Sequence, residues 1–206
     1  MGAEMKRNQY AWAFSSGAVV SAVIICYLFV DLPVARAFHD LSQDTLDVFE
    51  WITIFGYSTG YLIVSMGLYI FFRLIKKNGL YANRALLIFS AIAVSGLVAN
   101  IVKPIVGRAR PIMFFEKDQY GFFPLQTDYE FNSFPSGHAT AAFALAVSLS
   151  VIWPRYRLVF ILLACIVASS RFVLPSHYLG DTVAGAFIGA STALILRKLI
   201  QVKSLP

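Results

Sequence analysis

Arg84-Ala-Leu-Leu-Ile-Phe-Ser-Ala-Ile-Ala-Val-Ser-Gly-Leu-Val-Ala-Asn-Ile-Val-Lys103-Pro104-Ile105 carries no charge between its first residue and Lys103. The hydrocarbon core of a bilayer is about 30 Å thick and takes roughly 20 apolar helical residues to cross. This stretch meets that length and ends on a cation. Five further runs resemble it, at 11–30, 56–75, 136–153, 157–175 and 181–200. Across all 206 residues, 58% are hydrophobic and 14% charged, with a mean hydropathy of +0.69. A soluble domain is roughly 45–50% apolar and about 25% charged. Because the excess falls into runs, the expected fold is an all-α polytopic membrane protein. It is read as a six-transmembrane-helix bundle forming a single domain over 1–206.

The breaks between runs carry turn or charge signals: Asp31-Leu32-Pro33, Lys76-Lys77-Asn78-Gly79, Gly107-Arg108, Trp153-Pro154-Arg155, and Pro175 with Gly180. Placing the N-terminus inside puts Lys6, Arg7, Arg73, Lys76, Lys77, Arg84, Arg155, Arg157, Arg197, Lys198 and Lys203 on the inner face, with Glu4 as the lone acid there. Basic residues accumulate on the cytoplasmic side. The charges therefore predict cytoplasmic termini, with the outer ends of the spans on the external face. Lys6-Arg7, a hydrophobic run and Ala35-Arg36-Ala37 look like a signal peptide. The run is longer than the 7–15 residues of a signal's apolar region, so an uncleaved first span is expected. The net charge of +6 does not point to nucleic acid, because the positive charge sits between hydrophobic runs. Cys26 and Cys165, each inside an apolar run, read as buried, inert thiols.

Two connections depart from this pattern. Between Pro33 and Trp51, apolar residues such as Val34, Phe38, Leu46 and Phe49 mix with Asp40, Asp44, Asp47 and Glu50. The mixture predicts an amphipathic helix lying in the outer interface. Gly107 to Phe134 is rich in Phe and Tyr, which anchor at headgroup depth or form a lid over a lipid.

The chemistry-bearing residues fall in three stretches: Lys103 to Arg110-Pro111, Pro135-Ser136-Gly137-His138, and Ser170-Arg171 through His177 to Asp181. The topology, argued without them, brings all three to the external face. Any one of these residues alone reads as a snorkelling anchor, a helix cap or a loop residue, but those separate readings predict no convergence. Together the stretches fit a phosphate ester. Arg110 and Arg171 offer bidentate hydrogen bonds, Lys103 a point charge, and Ser136 with Gly137 the open N–H groups of a helix start. His177 is the expected nucleophile and Asp181, four residues on, its orienting acid. His138 is the expected proton donor. No metal is expected, since no Zn-type ligand spacing occurs. His39 receives no role.

The ordered set Lys-x6-Arg-Pro, Pro-Ser-Gly-His, Ser-Arg-x5-His-x3-Asp resembles the type 2 phosphatidic acid phosphatase superfamily of membrane lipid phosphatases. It stands here as Lys103-…-Arg110-Pro111, Pro135-Ser136-Gly137-His138 and Ser170-Arg171-…-His177-…-Asp181. The resemblance is close over residues 85 to 190. It implies a six-helix membrane bundle with an external active site and no cofactor. It also implies catalytic His177, His138 and Asp181, with Lys103, Arg110, Ser136, Gly137 and Arg171 as phosphate ligands. The implied partners are the bilayer and a lipid phosphate or diphosphate, of the lipid A, phosphatidylglycerophosphate, phosphatidate or isoprenyl kind. Arg108, outside the pattern, is read as an extra headgroup contact. Three rivals share the residues: a lipid phosphotransferase, a vanadium-dependent haloperoxidase, which the membrane spans oppose, and a non-enzymatic lipid-binding protein, which intact His138, His177 and Asp181 oppose. Gly185-x3-Gly189 is read as helix packing inside the bundle.

Overall fold

A computed structural model describes residues 2–200 and 202, with side chains described from residue 10 to residue 200 and at 202. Glu4, Lys6, Arg7 and Lys203, which enter the charge asymmetry, lie outside the described side chains. The chain is helical: α1 (Gly2–Ile25), α2 (Asp31–His39), α3 (Gln43–Thr53), α4 (Ser58–Ile70), α5 (Gly79–Val106), α6 (Pro111–Lys117), α7 (Gly137–Ile152), α8 (Arg157–Val173) and α9 (Leu179–Ile200). One isolated antiparallel bridge, Arg108 to Phe122, is the sole β-type pairing among the described residues.

Among the described residues, five helical stretches are long and apolar enough to cross a membrane: Tyr10–His39, Gln43–Ile75, Gly79–Val106, Pro154–Val173 and Leu179–Ile200. The run expected at 136–153 forms α7, an apolar helix of 16 residues. At 1.5 Å per residue it is roughly 24 Å long, short of a full crossing.

Other boundaries move too. Asp31-Leu32-Pro33 is not a break: a π-helical turn, Cys26–Val30, leads straight from α1 into α2, and Asp31 is fully buried. Pro33 follows closely on this π-helical turn. The amphipathic segment forms helices α2 and α3, parted at Asp40-Leu41-Ser42. A 3₁₀ turn (Ile54–Gly56) and extended Tyr57 then lead into α4. Cys26 and Cys165 are both free; Cys26 is buried, whereas Cys165 lies exposed on the bundle surface instead of in the core.

α7 is the central element, packed on α5, α8 and α9. Its buried Ala139, Ala142, Ala144 and Ala146 keep its surface low. Gly185 and Gly189 do the same on α9. A Cβ at Gly189 would stand 2.2 Å from the Thr140 carbonyl oxygen, and one at Gly185 would stand 2.4 Å from that of Ser136. Only glycine permits that approach, so the Gly-x3-Gly pair packs inside the bundle, as the sequence predicts. Hydroxyls within the helices are satisfied locally, as where Ser95 donates to the Ala91 carbonyl (2.6 Å) and Ser148 to that of Ala144 (2.7 Å).

α5 ends at Gly107, whose left-handed φ of 60° closes the helix while its N–H donates to Lys103 O (2.8 Å). The connection that follows is pinned by its backbone. Phe123 N–H donates to Gly107 O (2.7 Å), Arg110 N–H to Glu130 O (2.8 Å) and Ser133 N–H to Arg108 O (3.0 Å). Its aromatics turn largely onto the N-terminal helices. Tyr120 stacks on Tyr27 (4.9 Å between centroids), and Phe115 stacks on His39 (3.8 Å), which gives that histidine a packing role.

Candidate active site

Close packing of α7 on α9 brings the start of each helix together with the ends of α5 and α8. Ser136 caps α7, and its N–H donates to the Asp181 carbonyl in the first turn of α9 (3.0 Å). Lys103 lies in the last turn of α5 and Arg171 in the last turn of α8. Every candidate residue named from the sequence is thus gathered at one end of the bundle.

The three expected phosphate-binding cations are held by neutral groups. Lys103 Nζ donates to Asn132 O (2.8 Å). Arg110 donates from Nη2 to the same carbonyl (3.2 Å), from Nε to Tyr129 O (2.9 Å) and from Nη1 to Ser176 O (2.6 Å), while its guanidinium lies 3.8 Å from the Tyr129 ring centroid. Arg171 donates from Nη1 to Thr53 Oγ1 (2.6 Å), and its carbonyl accepts from Ser176 N–H and His177 N–H. Among the described residues none of the three cations pairs with a carboxylate. Burial lowers the pKa of Arg110, which nonetheless stays charged, as arginines do in proteins. Uncompensated buried cations are costly. Nearby, the Ser136 hydroxyl, His138 Nε2 and Arg171 Nε are buried without a hydrogen-bond partner. Cations lacking counter-charge and polar atoms lacking partners make this a candidate anion site.

His177 is 4% exposed. The sequence predicts a direct hydrogen bond to Asp181, but the nearest approach, Nδ1 to Oδ2, is 3.8 Å. Nδ1 instead donates to the Ser133 carbonyl oxygen at 2.7 Å. A carbonyl only accepts, so the proton resides on Nδ1 and Nε2 keeps its lone pair. Burial, the largest cause, pushes the His177 pKa down to about 3; Asp181 pulls against it, and Arg110 and Lys103 reinforce it. The ring is therefore neutral at physiological pH. Asp181 acts one step back, accepting from Ser133 Oγ (2.5 Å) and Tyr178 N–H (2.9 Å). Ser133 is thus the central orienting residue that the spacing argument missed. Its nearness to Ser136 in sequence was the one available sign.

His138 sits in the first turn of α7 with its ring edge-on to Tyr57 (4.8 Å). The charges of Arg171, Lys103 and Arg110 all act on it. From Tyr57 an apolar cleft lined by Phe55, Tyr61, Val64, Leu68 and Leu145 runs along α4. A separate hollow of about 460 Å³ opens beside Lys103 and Arg110.

Arg108 is not a headgroup contact. It is fully buried, with Nη1 donating to Asp181 Oδ1 and Nη2 to Asp31 Oδ2, both at 2.6 Å. The sign available in the sequence was Asp31, an acid inside a long apolar run. Among the described residues no three His, Cys, Asp or Glu side chains come together as a metal site.

Comparison with known proteins places the chain in a family. The family model of the PAP2 superfamily matches residues 84–204. Two proteins named lipid A 1-phosphatase, from Rhizobium etli and Rhizobium johnstonii, are each 30% identical over 194 residues. The alignments span 89% of this chain and 83% and 79% of theirs. The crystal structure of Aquifex aeolicus LpxE superposes with a TM-score of 0.62 at 22% identity, covering 84% of this chain and 98% of that one. The transmembrane PAP2-type phosphatidylglycerolphosphate phosphatase from Bacillus subtilis gives a TM-score of 0.64 at 19% identity, covering 89% and 94%. The family match runs from α5 to beyond α9 and so takes in every residue of the anion site: this chain belongs to the PAP2 superfamily.

Proposed function

We propose that this protein is an integral membrane phosphatase that removes phosphate from a lipid through a phosphohistidine, without a metal. The observation that carries the reading is the set of two buried arginines and a half-buried lysine, none paired with a carboxylate among the described residues, beside a histidine whose Nε2 is free. Lys103, Arg110 and Arg171 bind the phosphate oxygens, helped by the Ser136 hydroxyl and the N–H groups at the start of α7 around Gly137. His177 Nε2 attacks phosphorus, forming an N–P bond as the bond to the leaving oxygen breaks. His138, protonated as the negative charge of the bound phosphate offsets Lys103, Arg110 and Arg171, gives that oxygen its proton from Nε2. His138 then takes a proton from water, which attacks the phosphohistidine and releases inorganic phosphate. Charge developing on the transferred oxygens meets cations already in place, so little reorganisation is needed.

Lipid A 1-phosphate is the substrate we favour, on the strength of the two Rhizobium relatives. Phosphatidylglycerophosphate, phosphatidate and isoprenyl diphosphates are the rivals. The apolar cleft leaving Tyr57 supports a lipid, since a tail can follow α4 while the phosphate stays at His138. In this reading the chain is one domain with α7, followed by the 3₁₀ turn Pro154–Tyr156, as a short sixth span. Both termini are cytoplasmic and the site faces the periplasm of the inner membrane.

The test is phosphate release in detergent, with EDTA, from a panel of these lipids. Release from one lipid is expected to survive EDTA and to fall about 10⁴-fold or more in His177→Ala. Substantial activity in that variant sinks the nucleophile, and a strict metal requirement sinks the three-cation cradle. Silence across the panel from folded protein, with label passing to an acceptor lipid, turns the reading to phosphotransfer.

A further inference from the structure

Asp31, Arg108 and Asp181 form a carboxylate–guanidinium–carboxylate chain with side-chain exposures of 0%, 1% and 0%. Its ends come from distant parts of the sequence. Asp31 opens α2, Arg108 follows α5, and Asp181 is in the first turn of α9. Burying one guanidinium and two carboxylates leaves a net charge of −1 out of water, which is a heavy desolvation cost for stability alone. Hydrophobic residues of similar volume would fill the place at lower cost.

The contacts show what the arrangement fixes. Asp31 grips the catalytic turn twice, through Arg108 and directly, its Oδ1 accepting from Gly180 N–H (2.9 Å). Arg108 takes one oxygen of Asp181, leaving the other for Ser133 Oγ and Tyr178 N–H. Ser133 in turn holds His177 Nδ1. Arg108 itself is caged by rings, with Tyr178 at 4.5 Å, Tyr27 at 5.3 Å, Phe122 at 5.6 Å and Tyr120 at 5.8 Å. Tyr120 also accepts from Nη2 (3.3 Å) and donates to Tyr27 O (2.6 Å). Burial works against the charge on Arg108, but Asp181 and then Asp31 outweigh it and raise its pKa above the usual arginine value.

We propose that Asp31 and Arg108 are positioning residues for the phosphatase reaction, holding Asp181 and Ser133 so that the His177 ring keeps its Nδ1–H tautomer and its aim. The N-terminal helical stretch, through the start of α2, is thereby part of the active-site support, although it supplies no group to the phosphate. This rests on His177 being the nucleophile, so the test includes a measurement that does not depend on activity.

Asp31→Asn, Arg108→Gln and Arg108→Lys would be prepared in full-length protein in detergent. Each would be measured for melting temperature, for ¹⁵N-histidine NMR of the His177 tautomer, and for kcat and KM on lipid A carrying a 1-phosphate. Arg108→Gln is expected to lower kcat about 100-fold or more with KM within threefold. Arg108→Lys should recover at least tenfold of that, because one cation can still serve Asp181. Asp31→Asn should fold, lower kcat about tenfold and mix the His177 tautomers. Wild-type kcat and an unchanged tautomer in folded Asp31→Asn and Arg108→Gln would overturn the proposal. So would a loss of activity matched by the loss of folded protein with the tautomer intact. If Arg108→Gln does not fold, Asp31→Asn decides alone. If the wild type releases phosphate from no lipid of the panel, the proposed function fails while the histidine spectrum still tests the positioning.

Discussion

Arg108 and Arg110 stand two residues apart in the same short stretch, both buried, and have opposite surroundings. Arg108 is bracketed by two carboxylates at 2.6 Å and shut in by aromatic rings. Arg110 is held only by carbonyl oxygens and a tyrosine face. One positive charge is already spent inside the protein; the other remains available to a ligand. Burial alone therefore says little about a cation's role. The charge of what touches it decides whether it braces the fold or binds an anion.

The comparison breaks most readily at Arg110. Arg110→Ala is expected to cost about 10²–10³ in kcat/KM, as for loss of one group that stabilises transition-state charge. Its melting temperature should stay near the wild type, since no buried carboxylate loses its partner. Arg108→Gln should differ in kind, losing about 3–5 kcal/mol of stability as well as activity, because it leaves two buried carboxylates uncompensated. Equal melting temperatures in the two variants would erase the distinction. A smaller effect separates the bundle from the site. Ser133→Ala removes the hydroxyl bond to Asp181 and the hydroxyl's 3.4 Å approach to His177 Nδ1, but keeps the 2.7 Å backbone acceptor for His177, so kcat should fall about tenfold with the fold intact. A fall as large as that of His177→Ala would show the hydroxyl, not the carbonyl, to be the main orienter.

The gentlest test is pH. The folded-state pKa of His177 lies near 3, below its ordinary 6.5, so the unfolded chain takes up the proton first. Its contribution to stability is fully present above about 6.5, falls as the pH drops and is lost toward pH 3, at up to about 1.4 kcal/mol per pH unit. Wild-type melting temperature should decline across this window, and His177→Gln should decline less. Identical slopes would place the acid sensitivity elsewhere.

Much of this was legible in the chain. Apolar runs located the helices because crossing a bilayer demands length and satisfied backbone groups, both written in local sequence. Motif order placed Lys103, Arg110, Ser136, His138, Arg171, His177 and Asp181 together because each sits at a run's end. Boundaries were less legible where partners came from afar. Asp31 looked like a break since an acid in an apolar run is unfavourable, until Arg108, distant in sequence, neutralises it. α7 was cut to 16 residues by Ser136 at one end and Pro154 just beyond the other.

Sequence by itself determined the membrane character, the helix order and which side chains are candidates for the phosphate chemistry, because periodicity, length and residue type are local properties. Tertiary structure alone decided which arginine is neutralised, that His177 leans on the Ser133 carbonyl instead of on Asp181, and that the N-terminal helical stretch braces the site. Those outcomes depend on distances between groups far apart in the chain, and pairwise electrostatics at 2.6 Å against 3.8 Å cannot be read from spacing.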